Sequence, residues 1–268
     1  MKSKIVTALI AVFASLCVPA SAHAATRCEP VVLLHGLGGN GQDNFTFLAP
    51  FLRSAGYCPF SFTYGQASPL FPVGGTLPIE DSARQIGAFI DTVRATTGAA
   101  KVDVVGHSEG GFQSLYVPKM LGYAGKIGHV VALAPPTHGT TVDGLVTLAD
   151  YLGLRPSLDT VLTTFGCQSC PEMLPGGSAV ADLTAGPIAQ PGIDYTIIAS
   201  RYDTVVTPHE TSFVREPGVH NVFVQDFCPA DPVGHVGLAY DRDVADLVAN
   251  ALDPAGATAV HCSAGPPL

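Results

Sequence analysis

Ser108 stands in Gly106-His107-Ser108-Glu109-Gly110, directly behind the apolar run Val102-Asp103-Val104-Val105. A serine hydroxyl is a poor nucleophile until a base takes its proton, and a tight turn at the end of a strand holds it where a base can reach. Gly106 and Gly110, two positions away on either side, leave the space such a turn needs. The chemistry suggested is hydrolysis through an acyl-enzyme. Glycine fills 29 of 268 positions, so a lone GxSxG match is a modest signal, and the partners of the serine decide its meaning.

The acid and base are expected at the carboxyl ends of later strands, where open parallel sheets gather their reactive groups. Asp203 follows the run Tyr195-Thr196-Ile197-Ile198-Ala199-Ser200 and is the expected acid; Asp194 precedes that run, and Asp226 and Asp231 follow the next one. With the chain order serine, acid, base, His35, His107, His129 and His138 come too early. His209 and His220 fall before or at the start of the final strand, and His261 sits beside Cys262 in the terminal tail. His235, on the loop after that strand and flanked by Gly234 and Gly237, is the expected base, with the glycines leaving its imidazole room. Its Nε2 takes the Ser108 proton and returns it to the leaving alcohol, while Asp203 fixes the tautomer. The oxyanion donors are expected from backbone: the Leu37 amide in His35-Gly36-Leu37-Gly38-Gly39, and the Glu109 amide just after the nucleophile.

The elements that must position these groups alternate along the chain. Strand-like runs occur at Pro30 to Leu34, Pro59 to Tyr64, Val102 to Val105, His129 to Ala134, Tyr195 to Ala199 and Asn221 to Gln225. Helical patterns between most of them predict an α/β fold, a mostly parallel sheet of about six strands with helices on both faces. The clearest helix runs from Ile79, with Ala83, Ile86, Ile90 and Val93 on one stripe, and ends at Gly98. Another follows Gly111 until Pro118 disturbs it, and a last one spans Asp243 to Leu252. Residues 139 to 192, rich in Gly, Pro and Thr with irregular periodicity, are expected to form a cap-like insertion over the carboxyl edge of the sheet.

Composition narrows the setting. Met-Lys-Ser-Lys, the apolar stretch from Ile5 to Val18 and Ala22-His23-Ala24 predict a secretory signal peptide over residues 1–24, too short for a membrane span, followed by one domain over 25–268. A lipoprotein role for Cys17 is disfavoured because Leu16 precedes it. The chain carries 13 basic and 22 acidic side chains, and Lys2 and Lys4 leave with the signal, so nucleic acid is not an expected partner. Of seven cysteines six remain, which suits three disulfides in an oxidising compartment. Cys28 and Cys58 each precede a strand and so meet at one sheet edge; proximity and elimination then pair Cys167 with Cys170 and Cys228 with Cys262. Zinc at Cys167-Gln168-Ser169-Cys170 lacks a second ligand pair.

Taken together, His35-Gly-Leu-Gly-Gly, Gly-His107-Ser108-Glu-Gly-Gly, Tyr202-Asp203-Thr-Val-Val-Thr-Pro and His235-Val-Gly-Leu resemble the small secreted bacterial triacylglycerol lipases and esterases of the lipase class 2 group, roughly from Cys28 to Cys262. The resemblance implies a minimal α/β-hydrolase that cleaves carboxylic esters without a cofactor, and a place for His138 near the site without a triad role. Glu109 departs from the Gln or Met more usual there, and is expected to face solvent or a cation. Carboxylates at Asp226, Asp231, Asp241 and Asp243 match no calcium motif, so no metal is expected. Phe45, Phe47, Leu48, Leu70, Phe71, Leu145, Leu148, Tyr151, Leu152, Leu162 and Phe165 are the candidates for an acyl pocket. The expectation is an exported, monomeric ester hydrolase, most simply a lipase. A short-chain esterase, a polyester hydrolase or an acyltransferase would use the same residues, and a silent ligand-binding relative is the reading from another class.

Overall fold

The computed structural model describes residues 28–67 and 73–268; the expected signal segment and the pocket candidates Leu70 and Phe71 lie outside them. Six strands, β1 (Pro30–Leu34), β2 (Cys58–Ser61), β3 (Val102–His107), β4 (Ile127–Leu133), β5 (Asp194–Ala199) and β6 (Val219–Phe223), form one sheet in the order β2-β1-β3-β4-β5-β6. Every neighbouring pair is parallel. The central strands β1 and β3 are buried along their whole length, as apolar runs covered on both faces must be.

Nine helices were assigned among the described residues: α1 (Leu48–Ser54), α2 (Ile79–Thr97), α3 (Glu109–Met120), α4 (Leu145–Tyr151), α5 (Arg155–Thr164), α6 (Ser169–Glu172), α7 (Ser178–Thr184), α8 (Val224–Phe227) and α9 (Arg242–Leu252). Alternation along β1 divides the core. Val32 and Leu34 join α2, α3 and α7 in one apolar cluster, and Val31 and Leu33 join α1 and α9 in the other, because successive side chains point to opposite faces of a sheet. In α2 the stripe Ile79, Ala83, Ile86, Ile90 and Val93 is buried, and Gly98 ends the helix in the left-handed region at φ 70°.

Several boundaries differ from the sequence expectation. Pro118 does not stop α3, which runs on to Met120; burial of Leu115, Tyr116 and Val117 against the sheet outweighs one lost hydrogen bond near a helix end. The edge strands shift most: β2 starts at Cys58 and stops at Ser61, and β6 covers Val219–Phe223 because Val224 and Gln225 turn into α8. His220 therefore lies within β6. Residues 139–192 hold four short helices, α4 to α7. Among them α7 buries Ala179, Val180 and Leu183, whereas α5 buries no residue.

Disulfides join Cys28 to Cys58, Cys167 to Cys170 and Cys228 to Cys262. The first ties the starts of adjacent strands, where Pro30 lies in register with Cys58. Among the described residues no helix is long and apolar enough to cross a membrane.

Candidate active site

Strand β3 ends at His107, and Ser108 turns the chain into α3 with φ 56° and ψ −118°. A non-glycine residue with that backbone is strained, and strain of this kind persists where the surroundings over-determine it. The Ser108 amide donates to the Leu133 carbonyl at 2.8 Å, and its own carbonyl accepts from the Phe112 amide. The flanking glycines are required by close backbone approach. A Cβ on Gly106 would collide with the Gly110 carbonyl, and one on Gly110 with the Leu34 carbonyl.

Three strand ends converge on this turn. His235 Nε2 lies 2.8 Å from Ser108 Oγ, and His235 Nδ1 lies 2.7 Å from Asp203 Oδ2. The other oxygen of Asp203 accepts the amides of Val205 and Val206, both at 2.8 Å. Asp203 and His235 are both buried. With Asp203 able only to accept, Nδ1 is the donor and Nε2 is left to accept the serine proton. The other carboxylates stand apart: Asp194 is exposed at the start of β5, and Asp226 pairs with Arg201 at 2.6 Å. His209 donates to the Asp203 backbone carbonyl, and His138 to that of Phe213.

The amides of Leu37 and Glu109 have no acceptor among the described residues. The peptide that carries the Leu37 N–H is fixed from its other side, since the Gly36 carbonyl accepts from the Gly39 amide at 3.0 Å and from His35 Nδ1 at 2.8 Å. In a trans peptide the carbonyl and N–H point in opposite directions, so holding Gly36 O turns the Leu37 N–H away from those bonds. His35 Nε2 accepts from the Tyr64 amide, and the ring stacks on Tyr64 at 4.1 Å. Burial pulls the His35 pKa down to about 4.

The Glu109 side chain overturns its expectation. It is fully buried, not solvent-facing or paired with a cation, and the polar side chain that approaches its carboxyl is Gln113. Burial drives its pKa well above the usual carboxylate value, opposed by Gln113 and reinforced by nearby Glu172, which favours the neutral acid. The carboxyl lies against the backbone of Gly75, where any Cβ would strike it.

The glycines beside His235 serve a purpose the sequence did not suggest. They admit the backbone of the C-terminal tail, not the imidazole: Gly234 donates to the Pro266 carbonyl at 2.9 Å and Gly237 to that of Leu268 at 2.7 Å. A Cβ on Gly234 would sit 2.6 Å from the Pro267 carbonyl oxygen. Cys262 fixes the start of this tail through its disulfide. Asp243 accepts from the Ser263 amide at 2.9 Å, and Asp231 from the Gly265 amide at 2.8 Å. Asp231, Asp241 and Asp243 bring their oxygens within 4.8 Å of one another. Burial, with the neighbouring carboxylates adding to it, raises Asp241 to about 6.

A cavity of about 270 Å³ opens beside Ser108, and Ser108 and Thr140 are its polar members. Leu145, Val146, Leu158, Leu162 and Leu174 of the insertion share the lining with Leu37 and Val206. Of the expected pocket residues, Leu145 and Leu162 take part. Phe45 and Leu48 do not; they are buried in the core beneath β1, and Phe47 packs partly against that same cluster. Leu148, Tyr151, Leu152 and Phe165 point outward, with Tyr151 and Phe165 each 86% exposed.

A parallel sheet with a strained serine at the end of its third strand, and an aspartate and a histidine delivered after its fifth and sixth, defines the α/β-hydrolase fold. Residues 28–122, which hold the Leu37 loop and the Ser108 turn, match the model of the family Lipase (class 2). A triacylglycerol lipase of Burkholderia plantarii is 33% identical over 112 residues, covering 37% of this chain and 27% of the relative. One from Pseudarthrobacter phenanthrenivorans is 33% identical over 110 residues, covering 37% and 30%. The matched stretch thus spans less than a third of either relative. Lipase B of Aspergillus fumigatus superposes with a TM-score of 0.66 at 18% identity, covering 93% of this chain and 57% of the other. A serine hydrolase of Cycloclasticus zankles gives 0.57 at 15% identity, covering 87% and 92%.

Proposed function

We propose that the protein is an exported carboxylic ester hydrolase acting on acyl esters with a lipid-like acyl chain. The observation that carries this reading is the juxtaposition of a serine within hydrogen-bond reach of a carboxylate-oriented histidine and an apolar cavity beginning at that serine.

In this reading Ser108 Oγ attacks the ester carbonyl while His235 Nε2 takes its proton. The Leu37 and Glu109 amides bind the oxyanion, and the imidazolium, stabilised by Asp203, protonates the leaving alcohol. Water, activated by the same histidine, then attacks the acyl-enzyme and releases the acid. The acyl chain lies along Leu158 and Leu162. The same two helices that line the cavity, α4 and α5, carry the exposed apolar side chains Leu148, Tyr151 and Val161, which would rest on the surface of an emulsified substrate. The triacylglycerol lipases matched in sequence support the lipidic choice of substrate. Three disulfides accord with export, and one chain supplies every group of the site, so a monomer suffices.

The test is hydrolysis of acyl esters from short to long, soluble and emulsified, by wild type and Ser108→Ala, with a fluorophosphonate label as reporter. Wild type is expected to label and to favour chains long enough to fill the cavity, and Ser108→Ala to do neither. Undiminished hydrolysis by Ser108→Ala overturns the mechanism. Activity confined to short soluble esters reduces the reading to an esterase. Product transferred to an added alcohol in preference to water makes the enzyme an acyltransferase.

A further inference from the structure

His107 occupies the variable position before the serine, where a side chain of almost any type satisfies the turn. Here it is buried at 5% exposure and enclosed by groups that matter to the proposed chemistry. Its Nε2 lies 2.9 Å from the backbone carbonyl of His235, and the two rings meet at 5.1 Å with a tilt of 40°. A carbonyl only accepts, so Nε2 carries the hydrogen and Nδ1 is an acceptor in the neutral ring.

The other side of the ring meets Asn44. Asn44 Oδ1 accepts from the Gly36 amide at 2.9 Å, which settles which end of that amide group is oxygen; His107 Nδ1 lies 3.4 Å from its Nδ2 and 3.5 Å from its Oδ1, and as an acceptor it can pair only with Nδ2. Every donor in the series has an acceptor in one consistent direction: Gly36 N–H to Asn44, Asn44 to His107, His107 to the His235 carbonyl. A second proton on His107 would turn Nδ1 from an acceptor of the Asn44 NH2 group into a donor competing with the Gly36 amide for Asn44 Oδ1. Burial, with the nearby His235 adding to it, lowers the His107 pKa to about 3, so the ring stays neutral while His235 gains and loses its proton.

The ends of this series are what the reaction must hold in register. Gly36 begins the peptide that offers the Leu37 N–H, and His235 is the base. Gly36 also lies against the nucleophile, where a Cβ would sit 3.2 Å from Ser108 Cβ and 3.3 Å from His107 Nδ1. We infer that Asn44 and His107 form a positioning bridge that locks the oxyanion loop to the loop of the catalytic base through the nucleophile turn. The inference rests on the roles proposed for Ser108, His235 and the Leu37 amide. Neither bridge residue touches substrate. Their contribution is the fixed spacing between base and oxyanion donor, and small displacements of such groups are expensive, about 10²-fold in rate for about 1 Å.

The experiment uses the full chain in four forms, wild type, His107→Phe, His107→Gln and Asn44→Ala, assayed on a soluble p-nitrophenyl ester. Fluorophosphonate titration normalises each to its competent fraction. His107→Phe keeps the ring volume and removes both nitrogens; its kcat is expected to fall about 30- to 100-fold with KM within about threefold. His107→Gln restores a donor toward the His235 carbonyl and should recover most of that loss. Asn44→Ala should cost about tenfold, and the double variant His107→Phe/Asn44→Ala no more than His107→Phe alone, because both break one series. An alkylboronic acid, which occupies the oxyanion position, should bind more weakly in step with kcat.

Unchanged kcat in both Asn44→Ala and His107→Phe overturns the bridge, as does a loss that appears in KM or only in the titrated fraction. If His107→Phe does not fold, Asn44→Ala and His107→Gln decide the matter by the same readouts. A wild type that neither labels nor hydrolyses refutes the proposed function itself, an outcome distinct from a working enzyme indifferent to these substitutions.

Discussion

The carboxyl edge of the sheet and the helical insertion above it are built on opposite terms. Helix α3 is buried through nearly its whole length; Asp203 accepts two backbone amides of its own turn, and the His235 loop is held by the Gly234 and Gly237 amides and by its carbonyl's bond to His107. Helix α5 buries no residue and, with α4, turns Leu148, Tyr151, Val161 and Phe165 outward. Yet both regions line the same cavity, α5 through Leu158 and Leu162, the sheet edge through Ser108. The contrast separates two requirements. Groups that move protons must be held to fractions of an ångström by packing, whereas a wall that only excludes water from an acyl chain needs apolar area and tolerates movement.

The sharpest way to break that contrast is to remove a group from each kind of surrounding. His235→Ala should lower kcat by about 10⁴-fold or more with the thermal midpoint little changed, while His220→Ala, on the edge strand β6, stays near wild type. A dead His220→Ala would mean that the base is misassigned.

Stability should divide along the same line. Leu115→Ala, in the fully buried part of α3, is expected to cost about 2 to 5 kcal/mol in denaturant unfolding. Leu148→Ala, 54% exposed on α4, should stay within about 0.5 kcal/mol. Equal losses would show that the insertion is as tightly packed as the sheet.

The smallest effect is one of pH. Glu109 is held neutral by burial, so as pH rises past the ordinary carboxylate range the unfolded chain ionises there and the folded one does not. Its contribution is therefore complete at low pH and is lost as pH rises toward the elevated folded value. Glu109→Gln should flatten, by up to one proton in slope, the decline of unfolding free energy that begins above the ordinary carboxylate range. Asp241, raised to about 6, adds its own decline below that pH and should be unaffected. An unchanged slope would mean that Glu109 finds a compensating partner.

How much of this could be read beforehand follows the same division. That Ser108, Asp203 and His235 would meet was legible because each follows a strand run, and in a parallel sheet all such ends lie on one edge. Edge strands were less so: β2 and β6 pair on one side only, so their apolar runs overshoot the hydrogen-bonded segment. Phe45 and Leu48 could not be told from pocket residues, since an apolar side chain between strands fills a core as readily as a cleft. Glu109 was misjudged for a related reason. The first turn of a helix ordinarily welcomes an exposed carboxylate, and only the depth of this helix start denies it water. The tail contacts to Gly234 and Gly237 join segments some thirty residues apart with no pattern in either, although two glycines bracketing a histidine were themselves a sign of close backbone approach.

That tail gives the site a place in time. Residues 262–268 come after the serine, the acid and the base in chain order, yet they hold the loop of the base by two backbone hydrogen bonds and are themselves secured by the Cys228–Cys262 disulfide. In chain order all six strands and His235 precede the segment that bonds the His235 loop and the cysteine that secures that segment. If Ser108 and His235 act as proposed, the contacts that steady the His235 loop are the last that the chain can make, and reduction of Cys228–Cys262 should loosen them first.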